Sequence, residues 1–166
     1  IMVLNSDTNG FPSLSNSKLN RGYDNKSVAG DISYGYKDLD ISLSLWTSKG
    51  NTEYLVFSTP VSQTYNNQAF AIDLRFKTDR GYSILFNINS SEDLINQNNP
   101  NYLGILDHTQ TERQSYELLI NKTLKQILSY SVGFESEHEE VDYSSYGISF
   151  RKDLKTKALF GTIEWI

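Results

Sequence analysis

Apolar and polar residues alternate with a period of two along most of the chain. The clearest example is residues 39–45, which read Leu-Asp-Ile-Ser-Leu-Ser-Leu. Successive side chains of a β-strand point to opposite faces, so such a run has one apolar and one polar face. Comparable runs occupy residues 70–77, 82–88, 116–120, 128–134, 146–150 and 159–165. A helix would not sort these residues in this way, and the pattern therefore predicts an all-β chain.

Two features favour a transmembrane β-barrel over a soluble β-sandwich, whose strands also alternate. The polar face is mostly Ser, Gly, Asn and Ala, as a narrow and crowded lumen requires. Aromatic residues gather near the predicted strand ends, where membrane barrels carry interfacial girdles; they are Tyr36, Trp46, Tyr54, Phe76, Tyr82, Tyr116, Phe134, Phe150 and Trp165. The predicted fold is a transmembrane up-and-down antiparallel β-barrel of about ten strands, in the range of about eight to twelve.

The links between the predicted strands alternate between short and long, as is typical of membrane barrels. Short links are predicted at Lys37 and at residues 78–80, 122–124 and 152–154, and longer polar links at residues 47–51, 90–111 and 136–140. Residues 61–65 are predicted to form a short strand after a turn at residues 59–60. Residues 1–28 are predicted to be an N-terminal segment that serves as a loop, a plug or a first strand, and residues 29–166 the barrel domain.

Composition narrows the class of protein without contradicting the barrel. The chain has 166 residues, which suits one domain, and a net charge of −5, which gives a nucleic-acid partner no electrostatic support. Its mean hydropathy is −0.47, and it has no apolar stretch approaching the roughly 20 residues of a spanning helix. A barrel strand needs apolar residues only at alternate positions, so a barrel is hydrophilic on average. The absence of cysteine excludes disulfides and thiolate metal sites.

Four charged residues on the predicted lumen side are candidates for a constriction. They are Asp73, Arg75, Lys77 and Arg151. Charged side chains of this kind set the ion preference of wide pores. In barrels of about eight to ten strands they more often pair with one another and fill the interior. The sequence favours this second interpretation.

An acidic run and two histidines are the remaining candidates for chemistry. Glu135, Glu137, Glu139, Glu140 and Asp142 flank His138 in a predicted loop. Several carboxylates can hold Ca²⁺, although an acidic loop kept in solution by its charge is the simpler interpretation because no turn glycine accompanies the run. A Ser–His–acid site would draw on His108 with Ser90, Ser91 or Ser115, but no nucleophile-elbow spacing supports it. No cofactor is predicted.

Two stretches of the chain resemble the TorF family of small proteobacterial porins. The first runs through Arg21-Gly22 and Ala29-Gly30-Asp31 to Trp46-Thr47-Ser48. The second contains Ser115-Tyr116-Glu117-Leu118, Leu124, Leu128-Ser129, Val132-Gly133, Tyr143, Tyr146-Gly147 and Lys152-Asp153-Leu154. The resemblance implies an outer-membrane location and a pore, and it brings no catalytic residues.

The function expected from the sequence is that of a bacterial outer-membrane β-barrel, either a narrow porin or a structural membrane protein. Its expected partners are the lipid bilayer and lipopolysaccharide, with small polar solutes or ions if a pore exists, and no nucleic acid. Two alternatives stay open. One is a secreted, soluble, lectin-like β-sandwich that binds carbohydrate or a partner. The other is an outer-membrane barrel enzyme that acts on lipid, although the chain is expected not to be an enzyme.

Overall fold

The computed structural model describes residues 1–8, 22–56, 59–98, 106–124 and 127–165. These residues form eight strands: β1 (Met2–Thr8), β2 (Tyr23–Tyr36), β3 (Leu39–Val56), β4 (Thr59–Lys77), β5 (Tyr82–Asn98), β6 (Leu106–Leu124), β7 (Leu128–Ser145) and β8 (Ile148–Trp165). Each strand pairs antiparallel with its neighbours in sequence, so the described strands form one up-and-down sheet ordered β1 to β8. The predicted all-β, up-and-down antiparallel architecture is confirmed. No helix in the described residues is long and apolar enough to cross a membrane.

The strands are fewer and longer than predicted because they continue through segments expected to be links. Residues 47–51 lie inside β3, residues 136–140 inside β7 and residues 152–154 inside β8. Most of the predicted 90–111 link belongs to β5 and β6, and its residues 99–105 lie outside the described part. These link predictions are wrong because the segments are mostly polar and alternation is weak there, whereas the backbone ladder needs no apolar side chain. The strand predicted at residues 61–65 is confirmed as part of β4, but the turn predicted at residues 59–60 is wrong, since β4 begins at Thr59.

Two of the predicted links are confirmed, because residues 37–38 and 78–81 reverse the chain as expected. The link predicted at residues 122–124 is wrong, since these residues end β6. Ile127 belongs to the turn between β6 and β7, whose residues 125–126 lie outside the described part. The last turn is Tyr146-Gly147, with φ values of 49° and 79°. Two residues at positive φ make a type I′ hairpin, and glycine adopts that conformation without strain. The strand predicted across residues 146–150 is therefore wrong at residues 146–147 and confirmed at residues 148–150, which begin β8.

The N-terminal segment contributes to the same sheet. β1 pairs with the first half of β2, with Met2 opposite Ala29 and Thr8 opposite Tyr23. β2 itself crosses residue 28, where the sequence divided the chain. Residues 9–21, which include most of the predicted loop or plug, lie outside the described residues.

The pairing register runs without interruption through each pair of strands, so alternate residues share a face across the whole sheet. The face that carries Leu43, Ile72 and Ile88 is here called the apolar face, and the opposite one, with Ser44, Ala71 and Asn89, the polar face. Apart from Gly30, Lys122 and Gly161, the apolar face is lined by hydrophobic or aromatic residues within the ranges 28–36, 39–45, 70–76, 82–88, 116–124, 128–134 and 159–165. This stretch is called the apolar band.

Burial and hydrophobicity are separated between the two faces. Ser48, Val61 and Ser145 are buried, and all three lie on the polar face. The large hydrophobic side chains exposed on the apolar face are Val3, Val28, Ile32, Tyr34, Tyr36, Leu45, Phe76, Tyr116, Leu118, Ile120, Leu124, Val132, Phe134, Leu159, Ile163 and Trp165. In the described part of the chain nothing covers this face, and no dry core forms between two sheets.

The sheet is open in the described residues. β1 pairs only with β2, and β8 only with β7, so one edge of each is unpaired. Every described side chain of β1 is exposed, and β8 is exposed at every position except Ala158. The closed barrel predicted from the sequence is therefore not part of the observed architecture.

A glycine on the polar face makes room for an aromatic ring. The Phe160 ring of β8 lies over Gly133 of β7, and a Cβ atom at position 133 would overlap the ring. Replacing Gly133 with Val is expected to displace Phe160 and lower the free energy of unfolding by about 1–3 kcal/mol. Denaturant unfolding in detergent micelles measures the change.

The matched control uses the same substitution without the ring. In a Phe160→Ala background, Gly133→Val is expected to cost clearly less, because the overlap no longer exists. An equal cost in both backgrounds would show that the ring does not contact Gly133.

Candidate functional site: the charged polar face

Three of the four predicted lumen residues lie together on the polar face. Asp73, Arg75 and Lys77 occupy alternate positions of β4, so their side chains share a face. Arg75 is directly opposite Asp40 of β3. Residues opposite one another in an antiparallel pair have Cβ atoms about 4.5–5.5 Å apart, so this pair places opposite charges side by side.

The fourth predicted residue, Arg151, lies on the other face. Arg151 is a residue of β8 and lies directly opposite Asp142 of β7. It is on the same face as the apolar band but beyond the end of the band, and its guanidinium pairs with Glu140. Counting in twos from Leu159 places Arg151 on the apolar face, so a signal existed in the sequence. The predicted turn at residues 152–154 concealed it, because a turn between the two positions breaks the alternation.

Carboxylates outnumber basic groups on the polar face. In the described strands it carries Asp31, Asp40, Asp73, Asp93, Asp107, Glu117, Glu135, Glu137, Glu139 and Glu164. The basic residues on the same face are Arg75, Lys77, Arg113 and Lys152. A surface with this imbalance attracts cations and repels anions.

The acidic run predicted as a cation-binding loop is part of strand β7. Glu135, Glu137 and Glu139 therefore point to the polar face, whereas Glu140 and Asp142 point to the other. The strand pleat thus divides the five carboxylates into two groups that cannot share one ion.

Arg113 of β6 neutralises part of the acidic row on the polar face. Its Nη2 lies 2.5 Å from Glu139 Oε2 and its Nε lies 3.7 Å from Glu137 Oε1. The hydrogen bond and charge of Glu139 raise the pKa of Arg113. Further along the face, Asn87 Nδ2 donates to Glu117 Oε2 at 2.8 Å. Side chains from neighbouring strands are thus linked to one another.

A second charged cluster lies on the opposite face, beyond the apolar band. Ligand atoms of His138, Glu140 and Asp153 lie within 4.8 Å of one another, as three metal ligands would. Basic side chains of the protein already pair with both carboxylates of this cluster. Arg151 pairs with Glu140, and Lys155 Nζ lies 3.6 Å from Asp153 Oδ2. His138 Nε2 donates to Asp153 Oδ2 at 2.9 Å, and this bond lowers the pKa of Asp153. The cluster is explained as an ion-pair network.

The best-covered group on the polar face lies at the end farthest from the turn at residues 37–38. Tyr54 of β3 donates to Gln97 Oε1 of β5 at 2.5 Å, passing the buried Val61 of the strand between them. Ser145 of β7 donates to Asp107 of β6 at 2.5 Å. Sequence reasoning missed this group because Gln97 and Asp107 fell in a predicted link. The only signal was the position of Tyr54 near a predicted strand end.

Burial raises the pKa of Tyr54 in this group, and the nearby Asp107 and Tyr146 raise it further. Asp107 lies three strands away from Tyr54 along the sheet, so the electrostatic surroundings of this hydroxyl are set by side chains of several strands.

The residues proposed for a hydrolytic site do not meet. His108 lies in β6 rather than in a loop, and its Nδ1 is 2.7 Å from Asn96 Oδ1. Ser115 is on the same strand but seven residues away and on the opposite face. Ser90 and Ser91 of β5 pair with Gln114 and Arg113, far along the strands from His108.

Comparisons with known proteins identify no relative. No protein-family profile matches the chain, and no curated protein matches it significantly. The resemblance to the TorF family therefore stays a prediction.

Removing the Tyr54 hydroxyl tests the covered group. Tyr54→Phe is expected to lower the free energy of unfolding by about 1 kcal/mol at neutral pH, because Gln97 loses its hydrogen bond. Since the pKa of Tyr54 is raised in the folded protein, this hydroxyl stabilises the fold below the ordinary tyrosine pKa of 10.0. Its advantage is expected to shrink as the pH rises above that value.

Denaturant unfolding at neutral and alkaline pH measures both effects. The exposed Tyr34 is the matched control, and Tyr34→Phe is expected to leave stability within about 0.5 kcal/mol of the parent protein. Equal effects of the two substitutions would contradict the contact with Gln97.

Proposed function

We propose that the chain is a bacterial outer-membrane β-barrel whose apolar face contacts lipid hydrocarbon and whose polar face lines the interior. The supporting observation is the division between faces: the large hydrophobic residues of the apolar face are exposed or half-buried, while the fully covered residues of the described part lie on the polar face. Transfer of one large aliphatic or aromatic side chain from water is worth about 1.5–3 kcal/mol. A lipid environment would stabilise this face, and water would not.

The dimensions of the apolar band suit this environment. It covers about seven to nine residues of each strand from β2 to β8, or roughly 25 Å, close to the height of the lipid-facing band of outer-membrane barrels. The strands are longer, 14 to 19 residues in β2 to β8, so each extends well beyond the band at one end. On the side of the apolar face those extensions are mostly polar, and they would stand in water or among lipopolysaccharide headgroups.

The other end of the band carries features typical of a membrane interface. The turn at residues 37–38 lies there, and aromatic residues of the apolar face cluster beside it, namely Tyr36, Phe76, Tyr82, Tyr130 and Trp165. Lys122 Nζ lies 4.0 Å from the centroid of the Tyr82 ring, and Lys37 Nζ lies 5.2 Å from that of Tyr36. Amphipathic rings with neighbouring lysines fit the headgroup level. This end would face the periplasm.

The polar face favours a filled interior over a wide channel. Phe160 covers Gly133, and Leu85 lies directly opposite Leu119, so an apolar row crosses the polar face beside Asp40 and Arg75. Arg113 and Glu139 bridge neighbouring strands. In a barrel of about eight strands the interior has room for side chains and little else. We therefore favour a structural outer-membrane protein.

A narrow cation-preferring pore is the second candidate, supported by the excess of carboxylates on the polar face. Rings of acidic side chains select cations in channels. Purified protein in a planar bilayer would then carry a small current that reverses at a cation-selective potential. Glu117→Gln is expected to reduce that selectivity, while Glu53→Gln, on the opposite face, is expected not to. A folded, inserted protein without current would remove the pore and leave the structural role.

Neighbouring residues of one strand provide the decisive test of the barrel. In reconstituted vesicles a spin label at Ile72→Cys, on the apolar face, is expected to be accessible to oxygen dissolved in lipid. A label at the adjacent Ala71→Cys, on the polar face, is expected to be shielded from it. Because the chain contains no other cysteine, each label reports one position.

Other outcomes would support the alternatives. A soluble β-sandwich would stay folded in plain buffer with the Ile72 label shielded from solvent, and it would not associate with vesicles. A lipid-modifying enzyme would release products from phospholipid or lipopolysaccharide and lose that activity in His108→Ala.

A further inference from the structure

The apolar band does not run perpendicular to the strands; it crosses the sheet diagonally. One row of directly opposed residues shows this: Tyr36, Leu39, Phe76, Ile84, Ile120, Val132 and Gly161. On β2 and β3 the band ends at this row. On β7 and β8 it continues four residues further, to Leu128 and Trp165. On β1 the apolar Val3 lies opposite Val28 of β2. Val28 is eight residues away from Tyr36, in the direction opposite to the extension on β7 and β8.

This diagonal gives the tilt of the strands relative to the band. The centre of the band moves by about one residue per strand, or roughly 3.3 Å for each strand spacing of about 4.8 Å. The corresponding angle is about 35°. Strands of outer-membrane barrels are tilted by about 35–45° from the membrane normal. If the apolar band lies parallel to the membrane plane, the strands are tilted from the membrane normal by about 35°, an angle at which outer-membrane barrels close.

We infer that the free edges of β1 and β8 pair with each other at a stagger of ten residues, with Val3 opposite Ile163. This inference rests on the proposed barrel. Following directly opposed residues across the open sheet leads from Val3 to Asp153. A drift of about one residue per strand over eight strands adds about eight residues at closure. Placing Ile1 opposite Trp165, where the apolar band of β8 ends, makes the stagger ten. The stagger must be even, since an odd one would exchange the two faces.

The side chains distinguish the staggered register from the unstaggered one. At a stagger of ten, Val3 faces Ile163 and Ile1 faces Trp165, so the band continues across the seam. Without a stagger, Val3 would face Asp153 and Ile1 would face Lys155. Charged side chains on the lipid-facing side destabilise a barrel, so the unstaggered register would interrupt the apolar band at the seam.

Exposure of the edge strands agrees with closure. On the polar face most of the exposed large hydrophobic residues lie on β1 and β8; they are Met2, Leu4, Ile148, Phe150, Leu154 and Phe160. Pairing of the edges would turn these side chains toward the interior. It would also satisfy the unpaired backbone groups, which are costly in a bilayer.

Engineered disulfides test the register in the full chain, which has no cysteine of its own. Val3→Cys/Ile163→Cys and Leu4→Cys/Thr162→Cys are neighbouring pairs of the proposed seam on opposite faces, so one is a non-hydrogen-bonded pair with the shorter Cα distance. After refolding in detergent and mild oxidation, at least one is expected to form an intramolecular disulfide in most molecules. Val3→Cys/Asp153→Cys, the unstaggered control, is expected to remain reduced.

Each other result is distinct. A disulfide in the Asp153 control, or a higher yield with Val3→Cys/Gly161→Cys at a stagger of eight, would overturn the register and leave the barrel. The labels at Ile72 and Ala71 show independently whether the protein is inserted. If it is inserted and none of the cysteine pairs forms a disulfide, the register is also overturned. Disulfides between two chains would show that a second copy occupies the edge, and the closed barrel would then fail as well.

Discussion

Backbone hydrogen bonds hold neighbouring strands in an antiparallel register that is uninterrupted from one end of each pair to the other. Because side chains alternate across a strand, this register decides which residues share a face over the whole sheet. A single bulge would move half of a strand to the other side. The separation of charge from hydrophobicity and the networks on the polar face both depend on this continuity, and so does the proposed pairing of β1 with β8.

The energetic consequence of the register is an unusual surface. Soluble proteins bury apolar side chains in a core, whereas the described part of this chain has one fully buried hydrophobic residue, Val61. Most of its leucines, isoleucines and valines lie on the apolar face instead. A contiguous apolar surface of this extent marks a binding site or a membrane contact. The alternation of apolar and polar residues along each strand explains how a chain with a mean hydropathy of −0.47 can present that surface.

The polar face is organised by short local bonds between neighbouring strands. Arg113 with Glu139, Asn87 with Glu117 and Ser145 with Asp107 each join two strands. Tyr54 extends the pattern across an intervening strand. In the interior of the proposed barrel such bonds would matter, because an unpaired polar group away from water is costly. The bonded side chains also occupy space that an open channel would need. The contacts that make the sheet rigid would therefore narrow a pore along the polar face.

The sequence alone determined the strand class and the identity of each face wherever alternation was strong. Residues 39–45 and 70–77 were assigned correctly, and so were the turns beside Lys37 and Gly81, since period two and turn residues are local properties. Whether neighbouring segments continue as strands was decided by tertiary structure. Residues 47–51 and 136–140 are polar on both faces, and only pairing with adjacent strands reveals that they extend β3 and β7. The same reason explains why Arg151 is not on the polar face with the other predicted lumen residues, and why Glu140 and Glu139 point to opposite faces. The positions of the turns determine which residues of each strand share a face, and hydrogen bonds between distant segments determine where the turns lie.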